Sequence, residues 1–227
     1  YYSFFQSIIY IKPFSTVETS IKLAVQKSGR LSEKSLQIIE DCGISYSRYK
    51  SKLMAAAYNF PLELLFLRDD DIPKYVASGV ADIGIVGENV LAEKDEKVDL
   101  VERMGFSKCR LSIAVPQSLQ YSGPQDLNGR RIATSYPHLT QLFLQKHNVK
   151  AEIHEISGSV EIAPSIGLAG AVCDLVSTGS TLLSNGLKEV ETIFKSEAVM
   201  VKNQELNVAS GWLLTSNQSL PVNVESI

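Results

Sequence analysis

The sequence predicts an α/β protein of two lobes joined by two crossing strands, and three observations carry that reading. From residue 21 onward, short apolar runs alternate with amphipathic stretches, the pattern that strands alternating with helices leave in a sequence. This β–α–β–α rhythm occurs twice, on either side of a loop-rich, charged stretch, YSGPQDLNGRR. A late apolar segment, EAVMV (197–201), is placed to run back into the first unit. The expected division is an extension outside the fold over residues 1–20, lobe I over 21–112 plus 197–227, and lobe II over 113–196.

In the first lobe, IKLAVQ (21–26) reads as a strand and LSEKSLQIIEDCG (31–43) as a helix, with Ser32 as its cap and Gly43 as its stop. LELLFLR (62–68) is a buried strand. In DDDIPKYVASG an Asp cap, Pro73 in the first turn and Gly79 past the end bracket a short helix. VADIGIVG (80–87) is a strand and ENVLAEK opens the next helix. CRLSIAVP (109–116) alternates apolar and polar positions and ends at Pro116, which places the first crossing near residues 113–116. In the second lobe, RIATSY (131–136), AEIHEI (151–156) and AVCDLVST (171–178) read as strands. Helices are expected around 139–147, 160–170 and 181–187. VETIFKS and EAVMV close the pattern as strands, and ASGWLLTS in the tail suggests a hairpin edge. No internal repeat or low-complexity segment interrupts it.

Composition narrows the function classes. With 44% hydrophobic and 21% charged residues, the 227-residue chain is neither collagen-like, coiled-coil nor wholly disordered. A formal charge of -3 and a pI near 5.7 supply no broad basic field, which argues against nucleic-acid binding and favours small-molecule chemistry. No apolar run reaches the roughly 18 residues of a membrane-spanning helix. Cys42, Cys109 and Cys173 lie far apart without CxxC spacing, against a disulfide framework or a zinc site and in keeping with a reducing cytoplasm. The opening YYSFFQSIIYIKPFSTVETS has Lys12 after its apolar stretch and makes a poor signal peptide.

The strongest local motif is DLVSTGSTL (174–182), a strand ending in a Ser/Thr/Gly turn that opens a helix. Backbone N–H groups there, with the hydroxyls of Ser177, Thr178, Ser180 and Thr181, suit an anion such as phosphate, and Gly179 permits close backbone approach. The plain alternative is a capped loop without a ligand. QKSGRLS (26–32) sets Lys27 and Arg30 in a turn after Gln26, suited to a polyanion or simply solvated. FLRDDDIP (66–73) combines Arg68 with Asp69, Asp70 and Asp71; one Asp serves as a cap, and three adjacent acids beside an Arg suit a ligand or cation. Glu88 in GENV and Glu161 in GSVEIAP have helix-dipole roles as their default reading. The four motifs at Gln26, Arg68, Glu88 and Asp174 fall at carboxyl ends of expected strands, where open α/β sheets collect their ligands. His138, His147 and His154 are scattered, and GxSxG, GxGxxG and Walker motifs are absent, which weakens hydrolase, Rossmann and P-loop readings.

Taken in order and spacing, QKSGRLS, LRDDDIPKYV, GVADIGIVGENVL, KCRLSIAVP, GRRIATSYP and GSVEIAPSIGLAGAVCDLVSTGSTLLSNGLKEVE resemble the ATP phosphoribosyltransferase family, which opens histidine biosynthesis. The resemblance spans roughly residues 21–202. It implies two periplasmic-binding-protein-like (type II) lobes with the active site in the cleft between them. It also implies a reaction joining N1 of ATP's adenine to C1 of the ribose of phosphoribosyl pyrophosphate (PRPP), with release of pyrophosphate. On this resemblance Ser177, Thr178, Gly179, Ser180 and Thr181 take the 5-phosphate of PRPP, while Asp174 and Glu161 lie near the ribose hydroxyls and the developing oxocarbenium charge. Gln26, Lys27 and Arg30 face phosphates of the nucleotide or of leaving pyrophosphate, and Arg68, Asp69, Asp70 and Glu88 hold ATP and the metal. The implied cofactor is Mg2+, carried mainly by substrate phosphates, and the implied location is the cytoplasm.

The implied assembly is a homo-oligomer, a dimer or hexamer. The family's shorter form works with a separate subunit resembling histidyl-tRNA synthetase. Its longer form carries a C-terminal histidine-sensing domain, which residues 203–227 do not resemble, although the core motifs here are nearer the longer form. Gly170 stands where the family usually has Asp in GLADAICD. A two-lobed ligand-binding or sensor module would fit the same lobes. It would call for an export signal, and it would not need a phosphate turn, two cations and an acidic cluster.

Overall fold

The computed structural model describes residues 20–48 and 52–206. Of the expected extension over residues 1–20 only Ser20 is described, and the expected hairpin in ASGWLLTS lies outside the described residues. Two compact units divide the chain, the first running to Ser107 and resuming at Glu197, the second covering Lys108–Ser196.

The first unit opens with β1 (Ile21–Gln26), α1 (Arg30–Asp41), β2 (Met54–Ala56) and β3 (Leu62–Leu67). It continues with α2 (Ile72–Ala77), β4 (Ile83–Gly87), α3 (Glu88–Lys94) and β5 (Val98–Arg103). The returning chain adds a last strand, β11 (Ala198–Asn203). The sheet order is β2-β3-β1-β4-β11-β5. β1 runs parallel to β3 over its whole length, Ile21 beside Leu62 and Gln26 beside Leu67, and parallel to β4 on its other side. Strands covered on both faces read as continuous apolar runs, which is why LELLFL and IGIVG lack alternation. On one face Leu23, Val25, Leu64 and Ile85 pack with Leu36 and Ile39 of α1. On the other, Ala24 and Val86 pack with Ile72 and Val76 of α2 and Val90 and Leu91 of α3. Gly84 permits that second contact, because a Cβ there would lie 2.8 Å from Cγ2 of Ile72 and 2.9 Å from Cγ2 of Val76.

The second unit holds β6 (Cys109–Pro116), β7 (Arg131–Thr134), α4 (Pro137–Lys146), β8 (Glu152–Glu155), β9 (Ala171–Val176), α5 (Ser180–Ser184) and β10 (Leu187–Ser196). Its sheet order is β10-β6-β9-β7-β8. β7 is parallel to both β8 and β9, whereas β6 is antiparallel to β9 and β10. The α/β class is therefore as expected, and most elements fall within a few residues of their predicted bounds.

Four local expectations are corrected. Residues 160–170 form a 3-10 turn (Val160–Ile162) and irregular turns instead of a helix. Pro164 has no N–H to continue an α-helical ladder, and Gly167, at φ +74°, turns the chain away. Ser32 is not the cap of α1, which starts at Arg30 behind Gly29; the Ser32 hydroxyl is buried and has no hydrogen-bond partner among the described residues. The acids ahead of α2 form their own 3-10 turn (Asp69–Asp71), and Asp71 makes no side-chain capping bond. Two further strands, β2 and β5, go beyond the expected set, since one is three residues long and the other, VDLVER, is half charged.

Candidate active site

The topology gathers one set of predicted residues at a single edge of the first sheet. β3, β1 and β4 are adjacent and parallel, so their carboxyl ends lie side by side. Gln26 ends β1, and its amide covers Gly29, whose added Cβ would stand 3.8 Å from the Gln26 Oε1. The Lys27 N–H donates to the Leu67 carbonyl at 2.7 Å and extends the β1–β3 pairing by one residue. Lys27, Arg30 and Arg68 are exposed. Gly29 has φ +98°, a conformation open to glycine, and starts α1 so that Arg30 follows the turn directly.

The acids at this edge differ from one another. Burial pushes the Asp69 carboxyl above its usual range, and the neighbouring Asp70 charge adds to the rise. Asp70 is exposed and lies 3.9 Å from the Lys94 ammonium. Glu88, only 2% exposed, is held by Arg103, whose Nη2 donates to Oε1 at 2.6 Å and whose Nε donates to Oε2 at 3.4 Å. Its backbone N–H donates to the Glu197 carbonyl at 2.9 Å, tying the start of α3 to the start of β11.

The second unit carries the other set. β9 ends at Val176, Ser177 and Thr178 follow exposed, and Gly179 at φ +82° turns the chain into α5. The Thr178 and Ser180 hydroxyls lie 3.0 Å apart, and the Ser180 N–H approaches Thr178 Oγ1 at 3.5 Å. The N–H groups of Thr178 and Gly179 meet no acceptor among the described residues, which leaves two donors at the turn. Asp174, near the end of β9, is half-buried, and its Oδ1 accepts the Leu175 N–H at 2.8 Å. Burial pushes the Asp174 carboxyl up, the Leu175 N–H opposes that rise, and the charge of Glu161 adds to it. Two carboxylates and a donor-rich turn thus belong to one unit, an arrangement able to hold a sugar hydroxyl and a phosphate together.

Arg48 and Arg103 lie outside the sequence motifs, and Arg110, within KCRLSIAVP, has no role assigned from that motif. Arg48 donates to the Lys27 carbonyl and stacks 4.7 Å from the Phe66 ring centroid. Arg103 pairs with Glu88, and Arg110 forks onto Glu189, holding that carboxyl below its usual range. Their partners lie 15 to 79 positions away along the chain, so only the fold brings them together. Among the described residues no group of three or more His, Cys, Asp or Glu is placed to hold a metal ion. None of their helices is long and apolar enough to cross a membrane.

Known proteins resemble this chain in sequence and in fold. A family model described as HisG, ATP phosphoribosyltransferase, matches residues 68–216. An ATP phosphoribosyltransferase of Cytophaga hutchinsonii is 61% identical over 191 residues, covering 84% of this chain and 67% of the relative. The chain spans about two thirds of the length of the curated relatives it matches. Among solved structures, the HisG:HisZ ATP phosphoribosyl transferase complex from Thermotoga maritima contains a chain with TM-score 0.70 and 31% identity, covering 81% of this chain and 87% of that one. A substrate-binding protein of an amino acid ABC transporter matches at TM-score 0.54 and 12% identity, over 82% of this chain and 86% of its own, a likeness of fold alone.

Proposed function

Because the chain belongs to the HisG family of ATP phosphoribosyltransferases, we propose that it transfers the phosphoribosyl group of PRPP to N1 of ATP, giving phosphoribosyl-ATP and pyrophosphate. The observation that carries the proposal is the turn after β9, where two N–H groups without an acceptor among the described residues stand at the end of a strand bearing Asp174.

In this reading Ser177, Thr178, Gly179, Ser180 and Thr181 grip the 5-phosphate of PRPP. Asp174 and Glu161 hold the ribose hydroxyls and favour the positive charge that develops at C1 as the pyrophosphate bond breaks. Adenine N1 is the nucleophile: its lone pair forms the new bond to C1, and the electrons of the breaking C1–O bond leave on pyrophosphate. No side-chain nucleophile is required. Gln26, Lys27 and Arg30 receive phosphates of the nucleotide or the leaving pyrophosphate, and Arg68, Asp69 and Asp70 support ATP. Glu88 enters as the partner of Arg103, which fixes the start of α3. Rate acceleration then comes from orienting two substrates and from fixed charges around the reacting carbon.

A metal fits this donor set. Asp174 and Glu161 offer hard carboxylate oxygens close enough to influence one another, and Mg2+ is commonly held by one or two carboxylates together with substrate phosphates. When bound, Mg2+ would neutralise charge on the pyrophosphate as it leaves. We further propose a cytoplasmic homo-oligomer, a dimer or hexamer, with a HisZ-like regulatory subunit as a candidate partner, the last because the Thermotoga relative is named as a HisG:HisZ complex.

The test is pyrophosphate release and phosphoribosyl-ATP formation by the purified chain, alone and with a HisZ-like subunit. Product that requires ATP, PRPP and Mg2+ together is the expected result. A folded protein that makes none in either setting would refute the proposal.

A further inference from the structure

Arg110 stands beside the phosphate turn without a part in the chemistry above. It lies on β6 opposite Val176, the last residue of β9, at the point where strand gives way to turn. Its Nε and Nη2 fork onto the two oxygens of Glu189, which also accepts the Ser112 hydroxyl at 2.7 Å. A planar guanidinium held along one edge has little freedom to rotate, so the direction of Nη1 is set. Nη1 donates to the Ser177 carbonyl at 3.3 Å.

The effect passes through one peptide plane. The described residues contain no cis peptide bond. In a trans peptide the C=O and the following N–H point in opposite directions. A Ser177 carbonyl directed at Arg110 therefore turns the Thr178 N–H away from Arg110, where it meets no acceptor among the described residues.

We infer that Arg110 is a positioning residue: clamped by Glu189, it fixes the Ser177–Thr178 peptide so that the Thr178 N–H is presented to the phosphate of PRPP. The inference rests on the reading of the 177–181 turn as the phosphate site.

Steady-state kinetics on the full chain test it, with PRPP varied at saturating ATP and ATP varied at saturating PRPP. Arg110→Gln should raise the KM for PRPP about tenfold, the order expected when a charge-assisted hydrogen bond is lost. The KM for ATP should stay within about twofold. Arg110→Lys can still donate to the Ser177 carbonyl and should limit the rise to about threefold. An unchanged KM for PRPP, or equal rises for both substrates, would overturn the assignment. If Arg110→Gln does not fold, Arg110→Lys at a native melting temperature decides by the same criterion, a raised KM for PRPP supporting the role and an unchanged one refuting it. A wild-type chain that makes no product either alone or with a HisZ-like subunit removes the reading of the turn and Arg110's role with it, whereas an active wild type with indifferent variants removes Arg110 alone.

Discussion

Glu88 depends on a partner outside its own motif. Its carboxylate is buried and held by Arg103, so Arg103→Met should cost about 1–3 kcal/mol by removing that charge-assisted pair. Adding Glu88→Gln should recover part of that loss, and denaturant midpoints of the two variants check both statements. Asp174 behaves differently, because burial raises its carboxyl. A raised folded-state value means that the native protein holds its proton more tightly than the unfolded chain does. The associated stability is present at low pH and is lost as pH climbs from about 4 through the raised value. Asp174→Asn should flatten this slope in denaturation measured across pH, while abolishing most phosphoribosyl transfer. The motif residues at 26–30, 68–70 and 174–181 are legible because each group lies within one short stretch at a strand end. Arg48, Arg103 and Arg110 are not, since each acts through a contact made by the fold.

Elements that packing constrains on both faces are the easiest to read. β1 and β6 match their expected bounds, since their apolar residues leave one arrangement that buries them. The 160–170 segment misleads because its apolar spacing suggests a helix while Pro164 and Gly167 forbid one. β5 escapes notice because Asp99, Glu102 and Arg103 mask its strand pattern. The tight contact of α2 on β4 gives a prediction at this scale. Gly84→Ala forces a methyl against Ile72 and Val76 and should cost about 1–3 kcal/mol, read from thermal or denaturant unfolding.

At the scale of the whole molecule, net charge is a poor guide to the site. The chain carries -3 overall, yet Lys27, Arg30, Arg48 and Arg68 gather at one edge of the first sheet beside Asp69 and Asp70, a mixed set of charges that the total does not reveal. The substrates bring their metal with them in this account, so chelating divalent cations should lower pyrophosphate release, and restoring Mg2+ should return it. The alternation of strands and helices reveals the α/β class, and the motifs reveal the family, but the side-by-side placement of site residues comes only with strand order. Amide NMR during PRPP titration tests the central claim most directly. The account predicts that the largest shifts fall on Thr178, Gly179 and Ser180 and saturate with PRPP; shifts that leave this turn untouched while other regions respond would contradict it.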